Sequence, residues 1–147
     1  MELIDLLDTD GIVANLRATS KKQALQELAR RAAVVTKIDE MDRERLGTTG
    51  VGSGIAIPHG KLAELTRLYG VFARLEKPVD FQSIDDRPVD LIFVLLAPEE
   101  AGADHLKALA RVSRLLRDQV TTDKLRGTAD ADALFAILSE SQETRAA

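Results

Sequence analysis

The run Val89 to Ala97, VDLIFVLLA, carries one charge and shows no alternation of apolar and polar residues over most of its length. A strand with one wet face alternates, whereas a strand that is apolar throughout is covered on both faces, so this run predicts a central strand with helices on either side. Outward from it, Leu68 to Leu75 predicts a second strand, with Val71, Ala73 and Leu75 alternating with Phe72 and Arg74. Ile55 to Ile57 predicts a brief third strand, stopped by Pro58. Helices flank these strands. Ser20 and Gln23 have the form of a capping box, and Ala24, Leu25, Leu28, Ala32 and Val35 then recur on one helical face. Asp39 is placed to cap a short helix carrying Met41 and Leu46 and ended by Gly47. Asp104 is placed to cap another, carrying Leu106, Leu109, Val112, Leu115 and Leu116 at helical spacing. A short helix from Val120 to Arg126, ended by Gly127, and a last one carrying Leu134, Phe135, Ile137 and Leu138 complete an α/β sandwich. Only the tail from Gln142 to Ala147 reads as frayed.

Composition narrows the function. At 147 residues, with no repeat, low-complexity block or proline-rich linker, the chain fits one domain spanning residues 1–147. Aromatic residues make up 3%, too few for a platform that stacks single-stranded bases. The net charge of −4, with both signs interspersed, offers no basic stripe for a duplex, so nucleic acid is not an expected partner. The absence of cysteine excludes disulfides and thiolate metal sites and suits a reducing compartment. The start, MELIDLLDTD, is acidic where a secretory signal is basic, and the longest apolar run, Leu91 to Ala97, is too short to span a bilayer. A soluble, cytoplasmic protein without membrane insertion is expected.

One passage reads as a site: Gly47 to Lys61, GTTGVGSGIAIPHGK. It presents one of the chain's two histidines, His59, directly after a run of small residues and behind Pro58. Glycines at 50, 52 and 54 leave the backbone free to adopt positive φ and to bring N–H groups close to an anion, so this segment is a candidate phosphoryl-cradling loop. An imidazole has an ordinary pKa of about 6.5, so a good share is neutral and nucleophilic near neutral pH. Other phosphate loops do not fit. A nucleotide P-loop needs four residues between its glycines and Ser or Thr after the lysine, but five residues separate Gly54 from Gly60 and Leu62 follows Lys61. The dinucleotide glycine pattern lacks its third member. Two histidines without cysteine and without i, i+4 pairing are a poor zinc set.

The segment closely resembles the phosphorylation-site signature of the fructose/mannitol-type enzyme IIA domains of the phosphoenolpyruvate-dependent phosphotransferase system. The resemblance extends through KPVDFQSIDDRPVDLIFVLLAPE, Lys77 to Glu99, and GADHLKALARVSRLLRD, Gly102 to Asp118, and is closest to the stand-alone nitrogen-regulatory members. It implies a three-layer α/β/α sandwich around a small mixed sheet. It also implies that His59 is the phosphoacceptor, phosphorylated at Nε2, within a protein-histidine phosphotransferase component. An arginine stands sixteen residues before the family's phosphoacceptor, which falls on Arg43; Arg45 is its neighbouring rival. The second family histidine falls on His105, placed to donate a hydrogen bond to a phosphoryl oxygen from the start of its helix. Thr49 could offer a hydroxyl to the same group or merely close a turn. Ser53 stands where many members carry asparagine.

The resemblance implies an HPr-like donor, no metal and no cofactor. It further implies a regulatory output through target proteins bound differently in the two phosphorylation states. One alternative is a transport enzyme IIA passing phosphate to a IIB domain for fructose or mannitol uptake. Another is a binding module of the same fold that is never phosphorylated.

Overall fold

The computed structural model describes residues 3–38, 46–47 and 50–146. The apolar run at its centre does what its composition requires. Val89–Pro98 is strand β6, and every residue from Leu91 to Ala97 is fully buried. It pairs on one side with β5, Tyr69–Val79, in antiparallel register that sets Phe72 beside Phe93. Beyond β5 lies the edge strand β1, Ile12–Leu16, parallel to it. The other side of β6 is shared along its length. β3, Ile55–Ala56, runs parallel to Leu91 and Ile92, and β4, His59–Leu62, runs parallel to Leu95 through Pro98. A further edge strand, β2, Gly50–Gly52, is antiparallel to β3. The described sheet is thus mixed and six-stranded, in the order β1-β5-β6-β3-β2 with β4 beside β6.

Period-two alternation sorts the sheet residues onto two faces. Leu91, Phe93, Leu95 and Ala97 join Ile55, Ile57 and Phe72 in one core, against α2, Gly102–Arg117, α3, Gln119–Arg126, and α4, Ala131–Ala146. Ile92, Val94 and Leu96 join Val71 and Ala73 in the other, against α1, Lys21–Thr36. This is a three-layer α/β/α sandwich. The Ser20 hydroxyl accepts from the Gln23 N–H at 3.1 Å and caps α1, while the Gln23 amide oxygen accepts from the N–H of Thr19, closing the box one residue upstream of the cap. None of the described helices is long and apolar enough to cross a membrane.

Several expectations need correction. β1 was not foreseen from the sequence, and neither were β2 and β4, which replace the expected loop around His59. Pro58 does stop the brief strand, since β3 ends at Ala56, but a separate strand begins directly after it. The proline lacks an N–H to give, but its carbonyl accepts from the Leu95 N–H at 2.9 Å, so pairing with β6 resumes at His59. Asp104 does not cap α2; Ala101 is the cap residue and no side chain bonds there. Leu106 is 66% exposed, because the inward face of α2 runs through His105, Ala108, Val112, Leu115 and Leu116. The backbone of α4 stays helical to Ala146 instead of fraying after Gln142. The expected helix from Asp39 through Met41 falls outside the described residues.

Gly70 in β5 shows how tightly the lower core is filled. A Cβ there would lie 2.9 Å from Cε1 and Cζ of the fully buried Phe93 and 3.3 Å from Cδ2 of Leu7. Gly70→Ala is therefore expected to destabilise the protein by about 1–3 kcal/mol through overpacking, read as a lower urea midpoint at unchanged slope. An unchanged midpoint would mean that Phe93 moves aside freely.

Candidate active site

His59 projects from a sheet. Its residue registers with Leu95 of β6 on one side. On the other it is bridged to Gly47 by two backbone bonds, Gly47 N–H to His59 O at 2.7 Å and His59 N–H to Gly47 O at 2.8 Å. Alternation along Ile55, Ile57 and His59 turns the imidazole toward the face that α2 covers. The ring is half-buried. Its Nδ1 lies 3.2 Å from the carbonyl oxygen of Ile57. A carbonyl only accepts, so Nδ1 carries the hydrogen and Nε2 keeps its lone pair free. Among the described residues Nε2 has no hydrogen-bond partner.

His105 meets this ring from above. The centroids are 5.9 Å apart and the planes cross at 65°, edge to face. His105 is buried at the first turn of α2, and its N–H donates to Ala101 O at 2.8 Å, which starts the helical ladder. Its Nδ1 is buried and without a hydrogen-bond partner among the described residues. Such a group costs about 1–3 kcal/mol that a leucine at the same helix position would not. The pKa of His105 is lowered below the ordinary 6.5, first by burial, then by the neighbouring His59 and by Lys61, which follows His59 on the same side of β4. A neutral His105 can donate from only one ring nitrogen, and Nε2 is the one not buried without a partner.

The glycine-rich lobe that precedes His59 is folded as a hairpin. Ser53 and Gly54, at φ 59° and 82°, are its two-residue turn, with positive φ at both positions as a type I′ turn demands. Gly54 also has no room for a side chain, since a Cβ would stand 2.7 Å from Nη2 of Arg126 and 3.0 Å from Oδ1 of Asp90. Gly52, at φ 91°, sits against the carboxylate of Asp85. That carboxylate accepts the Ser53 N–H at 2.8 Å, and chiefly for this reason the Asp85 carboxyl is held below the usual carboxylate range. The Arg126 guanidinium donates to Ser53 O at 2.8 Å and to both oxygens of Asp90 at 3.1 and 2.9 Å. Ser53 is thus held through its main chain. Its side chain makes none of these bonds.

Of the expected site residues, His59 and His105 are brought together, and Gly52 and Gly54 shape the hairpin beside β3. Gly50 opens β2. Arg43 and Thr49 lie outside the described residues, as does Arg45. Asp85, Asp90 and Arg126 escaped sequence reasoning: the arginine lies 73 residues from the serine it holds, and no local pattern announces such a contact. Among the described residues, no three His, Asp or Glu side chains converge as a metal site.

His59 thus stands on a strand under the start of a helix, behind a glycine hairpin, in a three-layer sandwich. Residues 5–141 match the family model described as the phosphoenolpyruvate-dependent sugar phosphotransferase system, EIIA 2, and the chain belongs to that family. It is 55% identical over 146 residues to a nitrogen regulatory protein of Bradyrhizobium diazoefficiens, covering 95% of each chain. It is 36% identical over 152 residues to the nitrogen regulatory protein of Escherichia coli K12, covering 98% of this chain and 93% of that one. The crystal structure of nitrogen regulatory protein IIA-Ntr from Neisseria meningitidis superimposes with a TM-score of 0.82 at 29% identity, over 92% of this chain and 98% of that one. Within the family the chain is of the nitrogen-regulatory type.

The lowered pKa of His105 fixes a sign. A histidine held neutral by the fold binds fewer protons folded than unfolded, so its contribution is fully present above about pH 6.5 and is lost as pH falls through the lowered value. Urea midpoints measured between about pH 5 and pH 8 should fall more steeply on acidification in the wild type than in His105→Gln, whose amide does not titrate. Parallel curves would contradict the assignment.

Proposed function

We propose that the protein is a histidine phosphocarrier in which Nε2 of His59 accepts a phosphoryl group from a phosphohistidine on an HPr-like donor. The observation that carries this is the bond from His59 Nδ1–H to the Ile57 carbonyl, which selects the tautomer with a nucleophilic Nε2 and aims it beside His105. The step balances without proton movement. The phosphorus–nitrogen bond to the donor imidazole breaks as the bond to His59 Nε2 forms, the donor ring leaves neutral, and Nδ1 of His59 keeps its hydrogen. Catalysis then rests on positioning and on charge stabilisation around the equatorial oxygens. His105 supplies one donor from Nε2, and the glycine-rich lobe supplies backbone N–H groups. Arg43 and Thr49 are proposed to complete the pocket, Arg43 because a guanidinium forks onto phosphate oxygens.

No metal, nucleotide or other cofactor has a role in this scheme, and phosphoenolpyruvate is consumed upstream by an enzyme I in the cytoplasm. The output proposed is regulatory. Phosphorylation adds negative charge to one surface and so changes which target proteins dock there. High identity along the whole length of stand-alone nitrogen regulatory proteins supports this over sugar uptake through a IIB domain.

Incubation with phosphoenolpyruvate, enzyme I and HPr tests the proposal. Wild-type protein should take up phosphate and His59→Ala none, while the fold survives because alanine preserves the backbone pairing to Gly47 and Leu95. Phosphorylated His59→Ala, found by mass spectrometry, would refute it. Arg43→Ala should keep the acceptor and slow single-turnover transfer by about 2–4 kcal/mol of barrier. An unchanged rate would remove Arg43 from the transfer step.

A further inference from the structure

In the lobe from Gly47 to His59, β3 is held along β6, and the described residues show attachments at the base and at the tip as well. Its base is the pair of backbone bonds between Gly47 and His59. Its tip is Ser53, gripped on its N–H by Asp85, from the loop joining β5 to β6, and on its carbonyl by Arg126, from the last turn of α3. β2 is a three-residue edge strand, two of whose residues are glycines, paired only with β3 among the described residues.

Each partner at the tip is itself held. Asp85 also accepts the Arg87 N–H at 3.1 Å. Arg126 is locked by the half-buried Asp90, and its own carbonyl accepts from Arg74 Nε at 2.9 Å. The neighbouring Gly54 carbonyl accepts the N–H groups of Asp90 and Leu91, at 3.0 and 3.2 Å. From there β3 leads in three residues to Ile57, whose carbonyl orients His59.

We propose that Asp85 and Arg126 are positioning residues for phosphoryl transfer, clamping the tip of the Gly47 to His59 lobe so that its backbone donors and the Ile57 carbonyl stand in fixed relation to His59 Nε2. They act through the hairpin and do not touch the reacting atoms. The inference rests on His59 being the phosphoacceptor. Because the clamp grips main-chain atoms, the identity of the Ser53 side chain does not matter to it, whereas the hydrogen-bond acceptor at 85 and the forked donor at 126 do.

The test is single-turnover transfer to the full-length protein from two donors: phosphorylated HPr, and phosphoramidate, a small phosphoryl donor that needs no docking surface. Asp85→Ala, an exposed site whose loss leaves the core untouched, should lower the maximal rate by about tenfold to a hundredfold with both donors and leave the HPr concentration at half-saturation nearly unchanged. Arg126→Lys should behave alike. Asp85→Asn should recover most of the rate, since its amide oxygen still accepts the Ser53 N–H. Circular dichroism at the assay temperature confirms that each variant is folded. A loss seen with HPr but not with phosphoramidate would make the 80–88 loop a docking surface and overturn the proposal, as would equal maximal rates for Asp85→Ala and wild type. Wild-type protein that neither donor labels at His59 would instead remove the phosphoacceptor reading on which the clamp rests.

Discussion

The backbone of His59 is held from both sides, by Gly47 through two hydrogen bonds and by registry with Leu95, and the rest of the site depends on that restraint. A histidine on a free loop would sample many ring orientations. One on a paired strand points to a single face, and here that face is the one covered by α2. The fully buried β6 supplies the rigid reference, because its apolar residues from Leu91 to Ala97 are packed by helices above and below and have no alternative register that keeps them dry. A site built on such an element is held more closely than one built on a loop.

His105 follows from the same geometry. Its place on the inward face of α2 buries it against His59, and burial holds its ring below the ordinary histidine range. Under the proposed mechanism the site pairs two imidazoles with different tasks: His59, with a hydrogen on Nδ1 and Nε2 as nucleophile, and His105 as a donor. In the proposed phosphorylated state the new anion would sit beside Lys61, His105 and the positive end of the α2 dipole, an arrangement that favours negative charge where charge arrives.

Much of this was legible in the sequence. The central strand and the cap and inward face of α1 rest on local patterns, and local patterns survive folding; the candidate histidine pair was read from the family resemblance. What failed to show has physical reasons. β4 reads as HGKL, four residues with no run of β-branched side chains, and is a strand only because β6 and Gly47 pair with it. β1 is an edge strand of five residues whose pairing with β5 depends on residues some sixty positions away. Leu106 recurs with the apolar residues of α2 at helical spacing, but a helix face is set by its partner surface, and a histidine took the inward position one residue earlier. The Ser53 clamp joins three distant segments through main-chain atoms and leaves no side-chain signature at Ser53 at all.

The central claim is that the fold leaves His59 Nε2 as the nucleophile by engaging Nδ1 at Ile57. Nitrogen-15 NMR of the phosphorylated protein, with phosphorus coupling used to identify the bonded ring nitrogen, tests it most directly. The account predicts phosphorus on Nε2 of His59 with Nδ1 still protonated. Phosphorus on Nδ1 of His59, or on His105, would contradict it.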